Sequence, residues 1–370
     1  MANQASALKK TEIQRLLPDL CKRFTLIGRG PIGEPSGFGA VWRARDTWLD
    51  REVAIKISKT DLSEEILLCR DIEGQTVRIF DYFRGEGAWN AYAMELLESP
   101  WITLSSFIDN HDYNKPDTLQ HYFDCFEIVY DTLRGLAEIH GRPYSRQGRY
   151  VHADIKPANL FFLRKPKKRA STVFRMPAHE DLVKIIDMGI STPRGELNWR
   201  GTPAYDYPHK LEARQGHDLY SLGITFLEML SGYSPDHETM AHKARIRTFV
   251  AECSSGCQFV DSLAVELARK FARAATQPNI SARKLLKYLD EVLFERNSAH
   301  WLSLRAINKT IQGSLKKDEL AVFLLAVLAP YYSWVNHTAA RLDFVKGLIT
   351  DMYEQGMLLR DGNSHRYFVR

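Results

Sequence analysis

The spacing of hydrophobic and polar residues changes near position 104 and divides the chain into two patterns. Before that position, short runs with alternating apolar and polar residues predict β-strands. These runs are 23–27, 40–44, 52–57, 77–83 and 91–97, with a short helical stretch at 62–69. After it, apolar residues recur every three or four places, which predicts helices at 119–140, 218–231, 260–275 and 282–294. The pattern predicts an α+β fold in which a small β-rich part precedes a larger helical part.

The last seventy residues predict a separate small domain. An apolar run at 320–329 and an amphipathic stretch at 342–355 predict two helices. Two strand-like runs, 357–360 and 365–369, flank a polar turn and predict a β-hairpin. Because helices followed by a hairpin are typical of winged-helix domains, we expect a small winged-helix-like domain over residues 301–370.

The first 22 residues predict a helical extension and not a targeting segment. Residues 11–17 have a helical pattern that Pro18 ends. Residues 1–10 lack the apolar stretch of a secretory signal, and no apolar run reaches the ~18 residues needed to span a membrane. The five cysteines are odd in number and scattered, which favours a reducing compartment over a disulfide framework. We therefore expect a cytoplasmic protein without membrane contact.

Composition narrows the class of protein further. Charged residues make up 26% of the chain and hydrophobic residues 45%, values of ordinary globular proteins that exclude disordered and fibrous classes. The 50 basic and 45 acidic residues give a net charge of +5, which is too small to indicate nucleic-acid binding by itself. The 370 residues suffice for two hydrophobic cores, so we expect one large and one small domain.

Two polar segments between apolar runs carry the candidate chemistry. The segment 151–162 contains Asp154, Lys156 and Asn159, which are a carboxylate, a cation and an amide within six residues. Phosphoryl transfer needs these three groups together, although a capped turn is the alternative interpretation. Farther along, Asp187 ends an apolar strand two residues before a glycine, a position suited to a second metal ligand.

Together with Val53-Ala54-Ile55-Lys56, these segments resemble the motifs of protein kinases, and the resemblance extends over residues 24–294. It implies a two-lobed fold, with an N-lobe at 23–97 and a C-lobe at 98–296. It also implies ATP and Mg²⁺ as cofactors, Asp154 as catalytic base, Lys156 on the γ-phosphate, Asn159 and Asp187 on Mg²⁺, and Lys56 on the α- and β-phosphates.

The same resemblance assigns a nucleotide site. The glycine-rich loop of this family would correspond to residues 27–30 and 37–41. These two pieces match the regular pattern of the family only if residues 31–36 are an insertion. The hinge that holds adenine would follow the strand that ends near Met94. The residues implied to bind the nucleotide are Ile27, Gly28, Gly30, Gly37, Phe38, Gly39, Val41, Ala54, Lys56, Met94, Glu95, Leu97 and Phe161.

The acceptor is implied by Thr202, which in this family bridges the catalytic base and the lysine here numbered Lys156. The pair points to serine or threonine hydroxyls in a protein substrate, and hence to a Ser/Thr protein kinase. The lack of predicted membrane spans and secretion signals, together with an economical kinase core, favours a bacterial or phage type. The segment 201–208 resembles the part of protein kinases that positions peptides. Two alternatives remain: a pseudokinase scaffold that binds nucleotide without turnover, and a small-molecule phosphotransferase.

The chain also departs from the family pattern. Ala153 stands where an arginine usually precedes the catalytic aspartate, which predicts that phosphorylation of the activation loop is not the switch. The activation segment, residues 190–206, is short, so we expect constitutive or partner-gated activity. The ion-pair partner of Lys56 is expected to be Glu64, only eight residues later, with Glu65 as the alternative. The helix that carries it must therefore be truncated.

Two further regions suggest partners. The basic run 164–169 precedes Ser171 and Thr172, and predicts a solvated loop, a docking patch or an autophosphorylation site. Residues 301–370 contain nine Lys and Arg against six Asp and Glu, but the basic residues are spread out and form no stripe. We therefore expect this region to contact a protein partner or a second copy of the chain, with nucleic acid as the less favoured alternative.

Overall fold

The computed structural model describes residues 8–36, 39–72, 74–113, 118–141, 143–144, 148–164, 182–188, 191–197, 201–208, 211–233, 255–295, 298–311, 313–328 and 338–369. Ser171, Thr172 and the basic run from position 165 onward lie outside these residues.

The first part of the chain forms a six-stranded antiparallel sheet with the strand order β1-β3-β4-β6-β5, in which β2 pairs with β3. Its strands are β1 (Phe24–Leu26), β2 (Ile32–Ser36), β3 (Gly39–Asp46), β4 (Arg51–Ser58), β5 (Ile79–Arg84) and β6 (Asn90–Met94). The helix α3 (Ser63–Asp71) lies between β4 and β5 in the chain. This arrangement confirms the predicted β-rich part.

The two faces of this sheet have different neighbours. Ile55 and its cross-strand partner Trp42 belong to one core cluster with Ile13 and Leu20 of the N-terminal extension. The extension consists of α1 (Lys10–Leu16) and α2 (Pro18–Arg23). Because successive residues of a strand point to opposite faces, Lys56 projects from the other side. The extension therefore covers one face and leaves the face with Lys56 toward the rest of the protein.

The helical part is built around α5 (Thr118–Gly141), whose apolar residues belong to the largest core cluster. Its other helices are α4 (Leu104–Asp109), α6 (Gln215–Ser231), α7 (Gln258–Ala274) and α8 (Ala282–Leu289), followed by a π-helical turn at Asp290–Glu295. Two small sheets lie among them, with strand orders β11-β10-β7 and β12-β9-β8. Their strands are β7 (Trp101–Thr103), β8 (Pro143–Tyr144), β9 (Gly148–Val151), β10 (Leu160–Leu163), β11 (Val183–Ile185) and β12 (Thr192–Pro193).

A close approach between α6 and α7 depends on Gly216. A Cβ atom at this position would lie 2.1 Å from the backbone oxygen of Ala274. We expect Gly216→Ala to lower the free energy of unfolding by about 2 kcal/mol or more, because the backbone cannot move away cheaply. Gly347, in a helix near the C-terminus, is the matched control: a Cβ there meets nothing within 4 Å. Gly347→Ala should raise stability by about 0.5–1 kcal/mol in urea unfolding. Equal effects of the two variants would contradict this packing.

The ring of His121 is buried against α4 and α6. It stacks on His111 at 3.6 Å between ring centroids, and its Nε2 lies 2.6 Å from the backbone oxygen of Met229. Burial lowers the pKa of His121 to about 4. The folded protein therefore binds fewer protons than the unfolded chain between about pH 6.5 and 4, and stability falls as the pH drops through that window.

The loss of stability from His121 should reach about 3 kcal/mol at the acid end of that window, following the size of the pKa shift. Urea unfolding between pH 7 and 4.5 should give a steeper decline for the wild-type protein than for His121→Phe. Parallel pH profiles of the two proteins would show that His121 is not held neutral by burial.

The C-terminal residues form a helix, a strand, two helices and a hairpin in that order. The elements are α9 (Ser298–Thr310), β13 (Leu315–Lys316), α10 (Lys317–Leu328), α11 (Thr338–Glu354), β14 (Leu359–Arg360) and β15 (Arg366–Phe368), and the three strands form a sheet in the order β13-β15-β14. Trp301 of α9 contacts Phe123 of α5, with ring centroids 4.9 Å apart, and Arg305 forms an ion pair with Glu127. Within the described residues, no helix is both long enough and apolar enough to cross a membrane.

Candidate active site

Lys56 lies at the centre of a buried cluster of charges. Its Nζ is 2.7 Å and 2.9 Å from the two carboxylate oxygens of Glu65 and 2.8 Å from Oδ1 of Asp187. The hydroxyl of Tyr92 donates a further hydrogen bond to Glu65 at 3.0 Å. Burial opposes the charge on Lys56, but the two carboxylates outweigh it and raise the pKa of Lys56. Likewise, burial favours protonation of Asp187, but the Lys56 ammonium outweighs it and lowers the pKa of Asp187. Lys56 and Asp187 are therefore both charged at neutral pH.

The expectation that Glu64 pairs with Lys56 is wrong, because the partner is Glu65. Glu64 instead accepts a hydrogen bond of 2.8 Å from the hydroxyl of Tyr150. Adjacent residues of an α-helix project about 100° apart, so only one of two neighbouring glutamates can face the lysine. Since α3 begins at Ser63, its phase places Glu65 toward the sheet. The truncation of this helix, which has nine residues, is confirmed.

A second cluster joins the activation segment to the catalytic loop, which comprises residues 152–159. The hydroxyl of Thr202 donates to Oδ1 of Asp154 at 2.7 Å and accepts from Nζ of Lys156 at 2.7 Å. Nζ of Lys156 is also 2.8 Å from Oδ2 of Asp154. The structure therefore places Thr202 between the carboxylate and the ammonium. The side chain of Asp154 is buried, and that of Lys156 is partly exposed at the mouth of the site.

The backbone of the catalytic loop is fixed by Asp218 of α6. The carboxylate of Asp218 accepts hydrogen bonds of 2.8 Å from the backbone N–H groups of His152 and Ala153, and from Nε2 of His140. Burial favours protonation of Asp218, but the hydrogen bond from His140 outweighs it and lowers the pKa of the carboxyl group. Ala153 and Asp187 both adopt positive φ angles, of 70° and 61°. Such backbone strain persists only where the surroundings enforce it.

Asn159 and Asp187 provide the oxygen donors that a divalent cation prefers. The amide nitrogen of Asn159 donates to the backbone oxygen and to Oδ2 of Asp154, at 2.8 Å and 3.0 Å. Its amide oxygen is therefore the atom that can bind a cation. Among the described residues, no cluster of three or more His, Cys, Asp or Glu side chains could hold a metal. A carboxylate and an amide oxygen fit Mg²⁺, which commonly takes one or two protein ligands together with phosphates and waters.

The glycine loop differs from the sequence expectation. From Ile27 to Ile32 the chain advances five positions, whereas the paired strand advances two, from Arg43 to Val41. Three residues therefore bulge out between β1 and β2. Two more extra residues lie within β2, where Ile32 and Ser36 are four positions apart but their partners Val41 and Gly39 are only two apart. The extra residues are therefore divided between 28–31, which contains Gly28 and Gly30, and 33–35, within the predicted range 31–36.

β2 and β3 pair as far as Ser36 and Gly39, so Gly28 and Gly30 do not lie where these two strands join. Gly37 and Phe38 lie outside the described residues. Gly39, the first residue of β3, has a φ of 139°, and a Cβ atom there would lie 2.5 Å from the backbone oxygen of Ile57. Glycine is therefore required at position 39, where β3 and β4 approach closely.

Apolar side chains line the face of the sheet that carries Lys56. Val41 pairs with Lys56 on one side and with Ile32 on the other, so these three residues share one face. Ile32 is 41% exposed and was not predicted from the sequence, which assigned this position to Ile27. The sequence contains a signal for this role of Ile32, because Ile32 and Gly33 precede Gly37 at a spacing close to that of the glycine loop.

The remaining nucleotide-site residues lie around the junction of the two parts. Ala54 pairs with Met94 at the end of β6, on the face that carries Lys56. Glu95 follows, with its backbone N–H bonded to the oxygen of Arg78 and its side chain 2.7 Å from Nζ of Lys184. Leu97 and Phe161 are half-buried, Leu97 between β6 and β7 and Phe161 in β10.

Besides the contacts of Thr202, the backbone of the activation segment lies against β9 and the catalytic loop. Its strand β12 pairs with Tyr150 and Val151 of β9. A Cβ atom at Gly201, where φ is 138°, would lie 2.5 Å from the carboxylate of Asp206 and 3.0 Å from the backbone oxygen of Ala153. Because glycine has no side chain, the activation segment can approach the loop that carries Asp154 closely at position 201.

The comparisons with known proteins agree with this geometry. The model of the "Protein kinase domain" family matches residues 24–301. The chain is 26% identical over 265 residues to "Serine/threonine-protein kinases PknA" of Corynebacterium glutamicum, a match that covers 63% of this chain and 47% of that protein. It is 24% identical over 242 residues to "Mitogen-activated protein kinase kinase 8" of Arabidopsis thaliana, a match that covers 58% of this chain and 66% of that protein.

The chain spans less than half the length of its two Corynebacterium relatives. The family match nevertheless covers three quarters of this chain and includes both clusters of catalytic-site residues. On the sequence match and the kinase-like α+β fold together, the chain belongs to the protein kinase family.

Proposed function

We propose that the chain is a Ser/Thr protein kinase that transfers the γ-phosphate of ATP to serine and threonine hydroxyls of proteins. The observation that carries this proposal is the triangle of Asp154, Lys156 and Thr202, in which each pair of side chains is joined by a polar contact of 2.7 or 2.8 Å. It combines a proton acceptor with a cation beside the place where phosphate charge develops. The bacterial relatives named as Ser/Thr protein kinases support the same activity.

Each side chain has a definite task in this reaction. Asp154 orients the incoming hydroxyl and accepts its proton. Lys156 and Lys56 neutralise negative charge on the transferred group and on the phosphates that stay with the nucleotide. Glu65 keeps the Lys56 ammonium charged and in place. The charge of Lys56 is fixed over the working pH range, because its pKa is raised.

Asn159 and Asp187 would hold Mg²⁺, which supplies charge neutralisation of the ATP phosphates when bound. The nucleotide would lie against the face with Ile32, Val41 and Ala54, next to the end of β6. The hydroxyl of Thr202 occupies the space between Asp154 and Lys156, an arrangement that in this family accompanies serine or threonine acceptors.

Activity without phosphorylation of the activation loop is part of the proposal. The Lys56–Glu65 pair and the Asp154 cluster are both assembled in the unmodified chain. Ala153 offers no cation for a phosphate on the activation segment. The kinase is therefore constitutive, or it responds to a partner protein.

The domain division belongs to the proposal as well: a helical extension at 1–22, a kinase domain at 23–296, and a winged-helix-like domain at 301–370. We assign the last domain to protein contacts or to a dimer contact. On α11, Asp343 and Asp351 are exposed, and Lys346 is paired with Asp318 at 2.6 Å. Exposed carboxylates on this helix disfavour nucleic acid, whose backbone is negatively charged.

A cytoplasmic location is proposed because the cysteines in the described part of the chain, Cys21, Cys69, Cys125 and Cys257, are free thiols.

The test is transfer of labelled phosphate from Mg·ATP to the chain itself and to a generic basic protein, followed by phosphoamino-acid analysis. We expect phosphoserine or phosphothreonine. Nucleotide binding without transfer would indicate a scaffold, and transfer only to small hydroxyl compounds would indicate a small-molecule phosphotransferase. Either outcome would contradict the proposal.

A further inference from the structure

The shortened helix α3 has too few residues to hold its own position. It spans nine residues, Ser63–Asp71, and isolated helices of fewer than about 12 residues are marginal in water. Tertiary contacts must therefore fix the place of Glu65. Leu68 and Cys69 belong to the largest core cluster. The hydroxyl of Thr76 hydrogen-bonds to the backbone oxygens of Cys69 and Ile72 near the end of the helix. These contacts hold the C-terminal half of α3.

The N-terminal half of α3 carries the two adjacent glutamates, and they contact different parts of the protein. Glu65 faces the sheet, where it meets Lys56 and the hydroxyl of Tyr92. Glu64 projects in a different direction, about 100° around the helix, and accepts a hydrogen bond of 2.8 Å from the hydroxyl of Tyr150. The first turn of α3 is therefore bonded to both the sheet and the helical part.

Tyr150 occupies an unusual junction. Its ring is buried, with 7% of the residue exposed, and it belongs to the largest core cluster. It lies in β9, four residues before Asp154, and its backbone pairs with Pro193 of the activation segment. One hydroxyl thus connects α3 to the strand that leads into the catalytic loop and pairs with the activation segment.

We infer that Tyr150 is a positioning residue that holds α3 through Glu64, so that Glu65 remains on Lys56. This inference rests on the proposed kinase activity and extends it by naming what keeps the site assembled in a chain with a truncated α3 and with Ala153 beside the catalytic aspartate. The bond ties the position of α3 to β9, the strand that pairs with the activation segment.

The test compares Tyr150→Phe with Tyr130→Phe, which removes the same hydroxyl group from a remote hydrogen bond to Asp290 of 2.6 Å. Hydrogen exchange of the α3 backbone amides should become about three- to tenfold faster in Tyr150→Phe and stay unchanged in Tyr130→Phe. Phosphoryl transfer should fall by a similar factor in Tyr150→Phe only, with the KM of the protein substrate unchanged.

Glu64 variants supply the second half of the test. Glu64→Ala should match Tyr150→Phe, and Glu64→Gln should be milder, because its amide oxygen still accepts the hydrogen bond. The double variant Tyr150→Phe/Glu64→Ala should be no worse than Glu64→Ala alone.

Unchanged α3 exchange in Tyr150→Phe, or fully additive effects in the double variant, would overturn the inference. Because hydrogen exchange needs no turnover, it decides this point even for a wild-type protein that transfers no phosphate. A wild-type protein that transfers no phosphate would contradict the proposed function, not the role of Tyr150.

Discussion

Asp154→Asn is expected to lower phosphoryl transfer by about 10²- to 10⁴-fold, the range in which a positioned general base contributes. An amide cannot take the proton of the incoming hydroxyl. The replacement keeps the size of the side chain and one of its two acceptor oxygens, so the bond from Asn159 or the bond from Thr202 can be retained, but not both. Nucleotide affinity should therefore remain close to that of the wild-type protein.

The measurement is initial-rate transfer of labelled phosphate to a protein acceptor, together with the dissociation constant of Mg·ATP. Asp343→Asn is the control, since it removes an exposed carboxylate on α11 by the same change. Transfer by Asp154→Asn at more than a tenth of the wild-type rate would show that this carboxylate is not the base.

Lys56→Met is expected to reduce both transfer and stability. Loss of the cation beside the phosphates should cost about 10²- to 10³-fold in rate, as for other preorganised charge-stabilising groups. The carboxylates of Glu65 and Asp187 would also lose their partner, and Glu65 is only 4% exposed. Breaking one side of a buried ion pair typically costs about 3–5 kcal/mol in the free energy of unfolding.

The two effects of this substitution can be separated. Adding Glu65→Gln to Lys56→Met removes one of the two unpaired carboxylates and should restore part of the stability, but it should not restore transfer. Lys59→Met, three residues along, is the control for loss of a lysine in this region and should be near wild type in both assays. A Lys56→Met protein with wild-type stability would contradict the buried cluster, and wild-type transfer would contradict the role of Lys56.

Site residues that lie close together in the sequence could be predicted from it. The spacing of Asp154, Lys156 and Asn159 brings them together because they lie within one short turn after β9. Thr202 could be predicted only through the family resemblance, since 48 residues separate it from Asp154. The helical periods also located α5, α6, α7 and α8. The buried residues of α7 form one continuous apolar stripe, whereas α6 is buried on all sides.

Features that depend on register or helix phase could not be predicted. Counting glycines placed the whole insertion at 31–36, but strand pairing divides the extra residues between 28–31 and 33–35. Similarly, the choice between Glu64 and Glu65 depends on the residue at which α3 begins, a boundary that sequence patterns do not determine well.

Tyr150 carried no sequence signal as a site residue, because its contact with Glu64 spans 86 residues of chain. Local patterns report the burial of a side chain in its own strand or helix. They do not report which distant hydroxyl meets which carboxylate.

The most direct measurement is the fate of the γ-phosphate. Purified chain is incubated with Mg·ATP labelled in the γ-phosphate, and the label is located by mass spectrometry in the protein and in an added protein acceptor. We predict labelled serine or threonine in the wild-type protein, and almost none in Asp154→Asn although it still binds nucleotide. Label released only as inorganic phosphate, or no loss of label in Asp154→Asn, would contradict a Ser/Thr protein kinase built on this site.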